Sequence, residues 1–246
     1  MDITDWITDS PRRIKHALLS VVTVFLPLSA MAQSLPPGPP AGPPPNPAAA
    51  TETYSGTVSQ YLLNPRGEVD GLLLSDGTQV HFPPHLNAQL TQTVKPNDRI
   101  VAEGVRESGM NFRAVQITTA TTGHSVVDTP PTEAERRLPP GLGQDDLKPL
   151  QTQGKVKVAL TNTHGDVDGV VLENGAIVHF PPDIGIRMSA LLQPGSAISA
   201  KGYGTANQYG LAMDAMEIGA PGGPMTQIYA SDTARTLQRV AGPLGH

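Results

Sequence analysis

Between Thr57 and Thr118 the apolar residues come in short runs, and polar or turn-forming residues interrupt them every few positions. Thr57–Leu63, Glu68–Leu74 and Thr78–Phe82 each read as a strand, rich in branched side chains and bounded by turn residues. Asn64-Pro65-Arg66-Gly67 closes the first, and Asp76-Gly77 joins the second to the third. Asp-Gly tolerates positive φ, which predicts a two-residue hairpin loop. After Pro83-Pro84 the period changes. Leu86, Leu90 and Val94 recur at helical spacing, so His85–Val94 is expected to be a helix ended by Lys95-Pro96. Arg99–Arg106 and Phe112–Thr118 complete the series as strands four and five.

The series is then repeated. Displaced by 98 residues, the chain aligns with itself without a gap from Gly56/Gly154 to Ala114/Ala212, with about 20 of roughly 59 positions identical, a mark of internal duplication. Val69-Asp70-Gly71 returns as Val167-Asp168-Gly169, and His81-Phe82-Pro83-Pro84 as His179-Phe180-Pro181-Pro182. Asn174-Gly175 stands in for Asp76-Gly77, and Asp183 is placed to cap the second helix.

An order of three strands, one helix and two strands in each copy resembles an oligonucleotide/oligosaccharide-binding (OB) barrel. The resemblance implies a mainly β chain of two tandem small five-stranded OB-like barrels, each with one helix between strands 3 and 4. It also implies that each HFPP block is a corner, where a strand ends and Phe82 or Phe180 points into the core.

Domain boundaries follow from the rest of the chain. Arg12, Arg13 and Lys15, the apolar run Ala17–Leu28, and Ala30-Met31-Ala32 read as a secretory signal peptide over 1–32. Residues 33–53 are a proline-rich linker, 54–119 copy one, 120–151 a flexible linker, 152–219 copy two and 220–246 a mostly disordered tail. Within the linker, Thr132–Leu138 is expected to form a helical turn, and Ser231–Val240 in the tail is helix-like. The expected location is periplasmic or secreted, with no membrane span after cleavage, and the expected state is a monomer. There are 25 Pro, 25 Gly and no Cys, so neither disulfides nor thiolate metal sites are available.

With Asp76-Gly77 as a two-residue loop, Leu73 pairs with Val80, Leu72 with His81 and Gly71 with Phe82. Val69, Gly71, Leu73, Val80 and Phe82 then face the core, while Asp70, Leu72, Leu74 and His81 face outward. Asp70 lies diagonal to His81, and Asp168 to His179. These four residues are the candidate ligand-binding set, on the strand 2–3 face that OB barrels use. A purely structural hydrogen bond is the competing reading. Metal ligation falls short because each pair supplies two ligands where zinc takes three or four, so no metal site and no cofactor are assigned. Glu68, Asp70, Asp166 and Asp168 resemble half of a calcium loop whose closing Glu is missing.

The net charge of −5 changes the picture for partners. Single-strand binders combine a basic groove with aromatic platforms, and neither copy has them. No nucleophile elbow, phosphate loop or dinucleotide fingerprint is present, so no catalytic residue is assigned and the chain is expected not to be an enzyme. The resulting expectation is an exported binding or scaffold protein for a small molecule, glycan or envelope protein. The alternatives are a metal-binding protein or metal-dependent enzyme built on the Asp/His pairs, and an oligonucleotide-binding protein.

Overall fold

The structure, a computed structural model, describes residues 51–133 and 147–229. The signal-peptide reading, most of the proline-rich linker, most of the Thr132–Leu138 turn and the Ser231–Val240 helix lie outside the described residues.

Barrel one is built from β1 (Glu52–Leu63), β2 (Val69–Leu74), β3 (Gln79–His81), β4 (Arg99–Arg106) and β5 (Asn111–Thr119). Between β3 and β4 run a 3-10 turn (Pro84–Leu86) and helix α1 (Asn87–Thr93). The order across the sheet is β3-β2-β1-β4-β5, and β3 pairs with β5 in parallel to close the barrel. Barrel two repeats this order with β7 (Lys148–Thr161), β8 (Val167–Leu172), β9 (Ile177–His179), helix α2 (Pro182–Arg187), β10 (Ala197–Asn207) and β11 (Gly210–Gly219). Two short strands extend the sheets: β6 (Ser125–Val127) pairs with β5 and β12 (Met225–Gln227) with β11. Strand structure therefore reaches into segments read from sequence as linker and tail. The mainly β, two-barrel architecture with its helices between the third and fourth strands is the one the sequence predicts. No helix among the described residues is long and apolar enough to cross a membrane.

The HFPP corners form for the expected reason. Proline removes an N–H donor and fixes φ, so a strand cannot continue through it, while the first turn of a helix accepts it. Pro84 and Pro182 each stand in the first turn of the helical segment that follows, and Phe82 and Phe180 are buried. Leu86, Leu90 and Val94 plug the barrel end. Asp183 does not cap α2. Pro181 holds the cap position, and Asp183 sits in the first turn, 3.5 Å from Arg187 one turn on.

The hairpin register differs from the sequence reading. Leu74 N–H donates to Thr78 O (2.8 Å) and Gly77 N–H to Leu74 O (3.0 Å), so the loop has three residues, with Gly77 at φ 91°. The Asp76 side chain accepts Thr78 N–H (3.0 Å), which favours the longer loop. Pairing moves by one position: Gly71 opposes His81, Leu72 opposes Val80 and Leu73 opposes Gln79. Because side chains alternate, a one-residue slip exchanges faces on one strand relative to the other. In barrel two, Val170, Leu172, Val178 and Phe180 fill the barrel core, whereas Val171 and Ile177 join the apolar cluster of barrel one. Leu73 and Gln79 are the barrel-one counterparts of those outward residues.

The repeat is also not gapless to its end. The bulge that pairs Gly104 with Ala114 pairs Gly202 with Ala215, so the displacement is 98 residues before the β4–β5 turn and 101 after it. Ala212 is therefore not the counterpart of Ala114. The β10–β11 hairpin is three residues longer, and the extra length reaches barrel one. Asn207 Nδ2 donates to Gly67 O (2.8 Å), and the Tyr209 ring meets Tyr61 edge-on at 5.5 Å. Tyr61 donates to Val94 O (2.6 Å), and burial pushes its hydroxyl up to about 12. At Gly67, φ is 81° and an added Cβ would lie 2.7 Å from Asn207 Nδ2, so glycine is needed for both the turn and the contact.

The two barrels dock through equivalent faces. Leu160, Val171, Ile177 and Ala212 pack into the cluster of barrel one. The Gln79 amide spans the seam: Nε2 donates to Ala159 O (3.2 Å) and Oε1 accepts Thr161 N–H (3.0 Å). Asn111 Nδ2 donates to Thr161 Oγ1 (2.9 Å) and Asn162 O (2.7 Å). The β1–β2 turn of each barrel thus meets the β4–β5 hairpin, or its counterpart, of the other.

Candidate functional site

Where the docked faces part, a cleft of about 530 Å³ opens at the ends of β2, β3, β8 and β9. Asp70, His81, Asp168 and His179 all line it. The sequence placed them as two separate pairs, and the fold makes them one set, brought together by the pseudo-twofold relation of the barrels. Asp70 and Asp168 are held by hydrogen bonds from Phe82 N–H (2.8 Å) and Phe180 N–H (2.9 Å) to their carbonyls, directly before each HFPP corner turns.

The imidazoles do not bond to the aspartates of their own hairpins. His179 Nε2 donates to Leu63 O across the seam (2.8 Å). His81 Nε2 donates to Asn111 Oδ1 (3.2 Å), whose amide then donates to barrel two. Both rings are therefore oriented by the interface. The electrostatics cross it as well: the charge that most favours ionised Asp70 is His179 of the other barrel, ahead of His81.

Two residues join this set that sequence reasoning did not single out. Asp214 and Tyr229 line the same cleft. Asp214 occupies the position that Arg113 holds in barrel one, since His179 pairs with Asp214 and His81 with Arg113. Arg113 is occupied with Glu107 at 3.0 Å. Ala114-Val115-Gln116-Ile117 matches Ala215-Met216-Glu217-Ile218, and that match carries the signal for the correct displacement and hence for Asp214. Tyr229 was missed because it falls in the segment read as tail.

Among the described residues the cleft is lined by three aspartates and two histidines, with no lysine or arginine. Burial pushes the Asp70, Asp168 and Asp214 carboxyls above their ordinary value of 3.8, against the pull of the nearby imidazoles. A carboxyl raised in the folded state holds its proton more tightly there than in the unfolded chain. Its contribution to stability is present below the unfolded value and lost as pH rises through the folded value. Urea unfolding of the wild type at successive pH values, set beside the Asp70→Asn, Asp168→Asn, Asp214→Asn triple variant, is expected to show this. The wild type loses stability relative to the variant as pH rises above 3.8. A constant difference between the two over that window would contradict the assignment.

The residues that resembled a calcium loop divide into two roles. Glu68 Oε2 accepts from Asn64 Nδ2 (2.8 Å) and Asp166 Oδ2 from Asn162 Nδ2 (3.4 Å), so these two lock their turns, while Asp70 and Asp168 face the cleft. Among the described residues no group of three or more His, Cys, Asp or Glu is placed to hold a metal ion.

Comparison with known proteins adds little to this geometry. No protein-family model matches the chain, and no curated protein matches it. Among solved structures, the chain is similar to a deletion mutant of the single-stranded DNA binding protein from Thermus aquaticus, at 11% identity, over 74% of this chain and 97% of that one, with a TM-score of 0.22. At that score the likeness carries no argument, and the description of this chain as two tandem five-stranded OB-like barrels rests on its own strand order and closure.

Proposed function

We propose that this protein is an exported binding protein, not a catalyst, that receives a small cationic ligand in the cleft between its two barrels. The observation that carries the reading is the convergence of Asp70, His81, Asp168 and His179, joined by Asp214, on one cleft with no lysine or arginine among the described residues that line it. A volume of 530 Å³ falls within the roughly 300–1,000 Å³ of small-molecule sites. Three half-buried carboxyls against two imidazoles, with no lysine or arginine among the described lining residues, favour a positively charged ligand, because a charge removed from water needs a counter-charge nearby. Pro65, Pro181 and Pro182 supply rigid walls that keep the acids apart at little entropic cost.

The strand 2–3 face and its flanking loops, which OB barrels use for oligonucleotides, are the surfaces that dock the two barrels here. Together with the acidic charge balance, this argues against nucleic acid as the ligand. The export part of the proposal rests on the N-terminal basic cluster, apolar run and small-residue cleavage motif.

Calorimetric titration of the full chain tests the reading with 1,5-diaminopentane as probe. Binding at one site, weakened at least tenfold in the Asp70→Asn, Asp168→Asn variant, is the expected result. Stoichiometric binding of zinc, copper or calcium that His81→Ala and His179→Ala abolish would replace it with the metal reading. Tight binding of a single-stranded oligonucleotide would replace it with the nucleic-acid reading.

A further inference from the structure

The duplication lets one barrel act as a template for the other, and a difference between the copies marks a second site. In barrel one the ring of Tyr54 lies against Phe112, with centroids 5.8 Å apart, and under the Arg106 guanidinium at 5.0 Å. Its hydroxyl donates to Asp76 Oδ2 (2.5 Å) and accepts from Thr78 Oγ1 (2.9 Å). The phenol is thus held by stacking along its body and by two hydrogen bonds at its tip.

Barrel two keeps the backbone of this arrangement and removes the ring. Tyr54 pairs with Ala102 and Thr152 with Ala200, so Thr152 is the counterpart of Tyr54. Arg106 pairs with Phe112 and Gly204 with Met213, so glycine stands where the arginine was. Ala176 replaces Thr78, and Asn174 replaces Asp76 at the matching place in the turn. Tyr54, Arg106 and Thr78 are all replaced by smaller residues in barrel two, while Asn174 keeps the length of Asp76. A pocket of about 320 Å³ lies there, lined by Thr152, Asn174, Gly175, Ala176, Tyr209 and Leu211.

The pocket's polar groups are few and available. Thr152 is 7% exposed, and its hydroxyl makes no hydrogen bond among the described residues. Its oxygen is not one of the buried unpartnered side-chain atoms of the described residues, which are Glu107 Oε2 and Thr205 Oγ1, so it stays open to water and a ligand atom can take that water's place. Asn174 Oδ1 accepts Ala176 N–H (3.1 Å) and Nδ2 donates one hydrogen to Gln153 O (3.2 Å). That leaves the second amide hydrogen of Asn174, where Asp76 has an acceptor oxygen. Gln60 of barrel one closes one end, donating to Gly175 O at 3.4 Å. Among the described residues that line it there is no Asp, Glu, His, Lys or Arg.

We propose that this slot in barrel two binds a phenol ring presented by a ligand, in the place that Tyr54 occupies in barrel one. The ring replaces the missing tyrosine against Leu211, Ala176 and Tyr209, and its oxygen takes the free hydrogen of Asn174 and reaches the Thr152 hydroxyl. With no cation in the position of Arg106, the neutral phenol is preferred over a phenolate or a carboxylate. The site is separate from the acidic cleft and does not depend on it.

The test uses 4-fluorophenol with the full chain, read by fluorine NMR and by amide shifts of the protein. Saturable shifts at Asn174, Gly175 and Ala176 are expected. Thr152→Tyr fills the slot from within and is expected to lower affinity at least tenfold. Thr152→Val keeps the volume and removes the hydroxyl, so a loss of a few fold is expected without any risk of overfilling. The Asp70→Asn, Asp168→Asn variant is expected to bind 4-fluorophenol as the wild type does, which separates this site from the cleft. N-acetyl-tyrosinamide distinguishes the source: binding comparable to 4-fluorophenol identifies a tyrosine side chain of a peptide, and binding of 4-fluorophenol alone identifies a free phenolic compound. Absence of saturable shifts at millimolar probe on folded protein, undiminished binding by Thr152→Tyr, or loss of binding in the cleft variant would each overturn the proposal.

Discussion

Gly202→Ala is expected to unfold barrel two. Gly202 sits where β10 crosses the β11 bulge, pairing with Ala215 while Met216 is left over. A Cβ added there would lie 1.9 Å from Asp214 O, 2.8 Å from its carbonyl carbon and 2.9 Å from Ala215 Cα. All three atoms are backbone of a neighbouring strand, so no side chain can rotate away. Relief requires the β10–β11 ladder to separate, which opens the closed barrel. The cost is about 4 kcal/mol, at the upper end for single substitutions. Gly104→Ala repeats the conflict in barrel one, 2.0 Å from Arg113 O and 2.8 Å from Ala114 Cα. Urea denaturation followed by circular dichroism measures the loss. An alanine variant at either position with the wild-type midpoint would show that the bulge has slack that its geometry denies. The two glycines are among the letters shared by the copies, and this contact is the physical reason both barrels keep them.

Ile177→Asp is the second large effect, and its consequence is separation of the barrels rather than loss of either one. Ile177 is fully buried, on the outward face of β9, among apolar residues of barrel one. A carboxylate there has no cation to pair with among the residues of that cluster, and leaving it buried costs about 3–5 kcal/mol. Opening the seam hydrates the charge while both barrel interiors stay intact, so undocking is the cheaper response. Scattering is expected to give a larger radius of gyration, unfolding to divide into two transitions, and 1,5-diaminopentane binding to disappear with the cleft. Retention of a single transition at the wild-type midpoint and of the wild-type radius would refute the docking scheme. Leu73 and Gln79 approach the same seam from barrel one, so the effect belongs to the interface and not to one residue.

Much of the fold was legible because the chain punctuates itself. Proline and glycine mark where strands stop, and the change from alternating to helical spacing at Leu86, Leu90 and Val94 marks the plug between strands three and four. The Arg99–Arg106 strand has the bounds read from sequence. The errors came from features set by a single backbone bond. Gly77 N–H bonds to Leu74 O in a three-residue loop, and nothing in the letters Asp-Gly separates that loop from the two-residue form. One extra residue was enough to turn the inferred core face of β2 outward. The three-residue gap before β11 escaped for a similar reason. Ala212 happened to match Ala114, while Asp214 and the reach of Tyr209 depended on the displacement that follows the gap.

The candidate site was legible in its members and not in its form. Asp70, His81, Asp168 and His179 stood out because they recur at fixed places beside a corner. Sequence placed each pair on its own barrel, since alternation and register describe one sheet at a time. Their meeting depends on how one barrel lies on the other. That is decided by Gln79, Asn111 and Asn207 crossing the seam and by Val171 and Ile177 entering the neighbouring cluster.

The sequence by itself determined the duplicated five-stranded plan, the two corners with their buried phenylalanines, and the acidic, cysteine-free character of the chain. These are properties of local pattern and composition, and local sterics enforce them. Only the tertiary structure decided which face of each β2–β3 hairpin is covered, that the two Asp/His pairs share one cleft with Asp214, and that barrel two leaves open the space Tyr54 fills in barrel one. Those outcomes depend on contacts between residues up to about a hundred or more positions apart, whose energies arise only once both surfaces exist to meet.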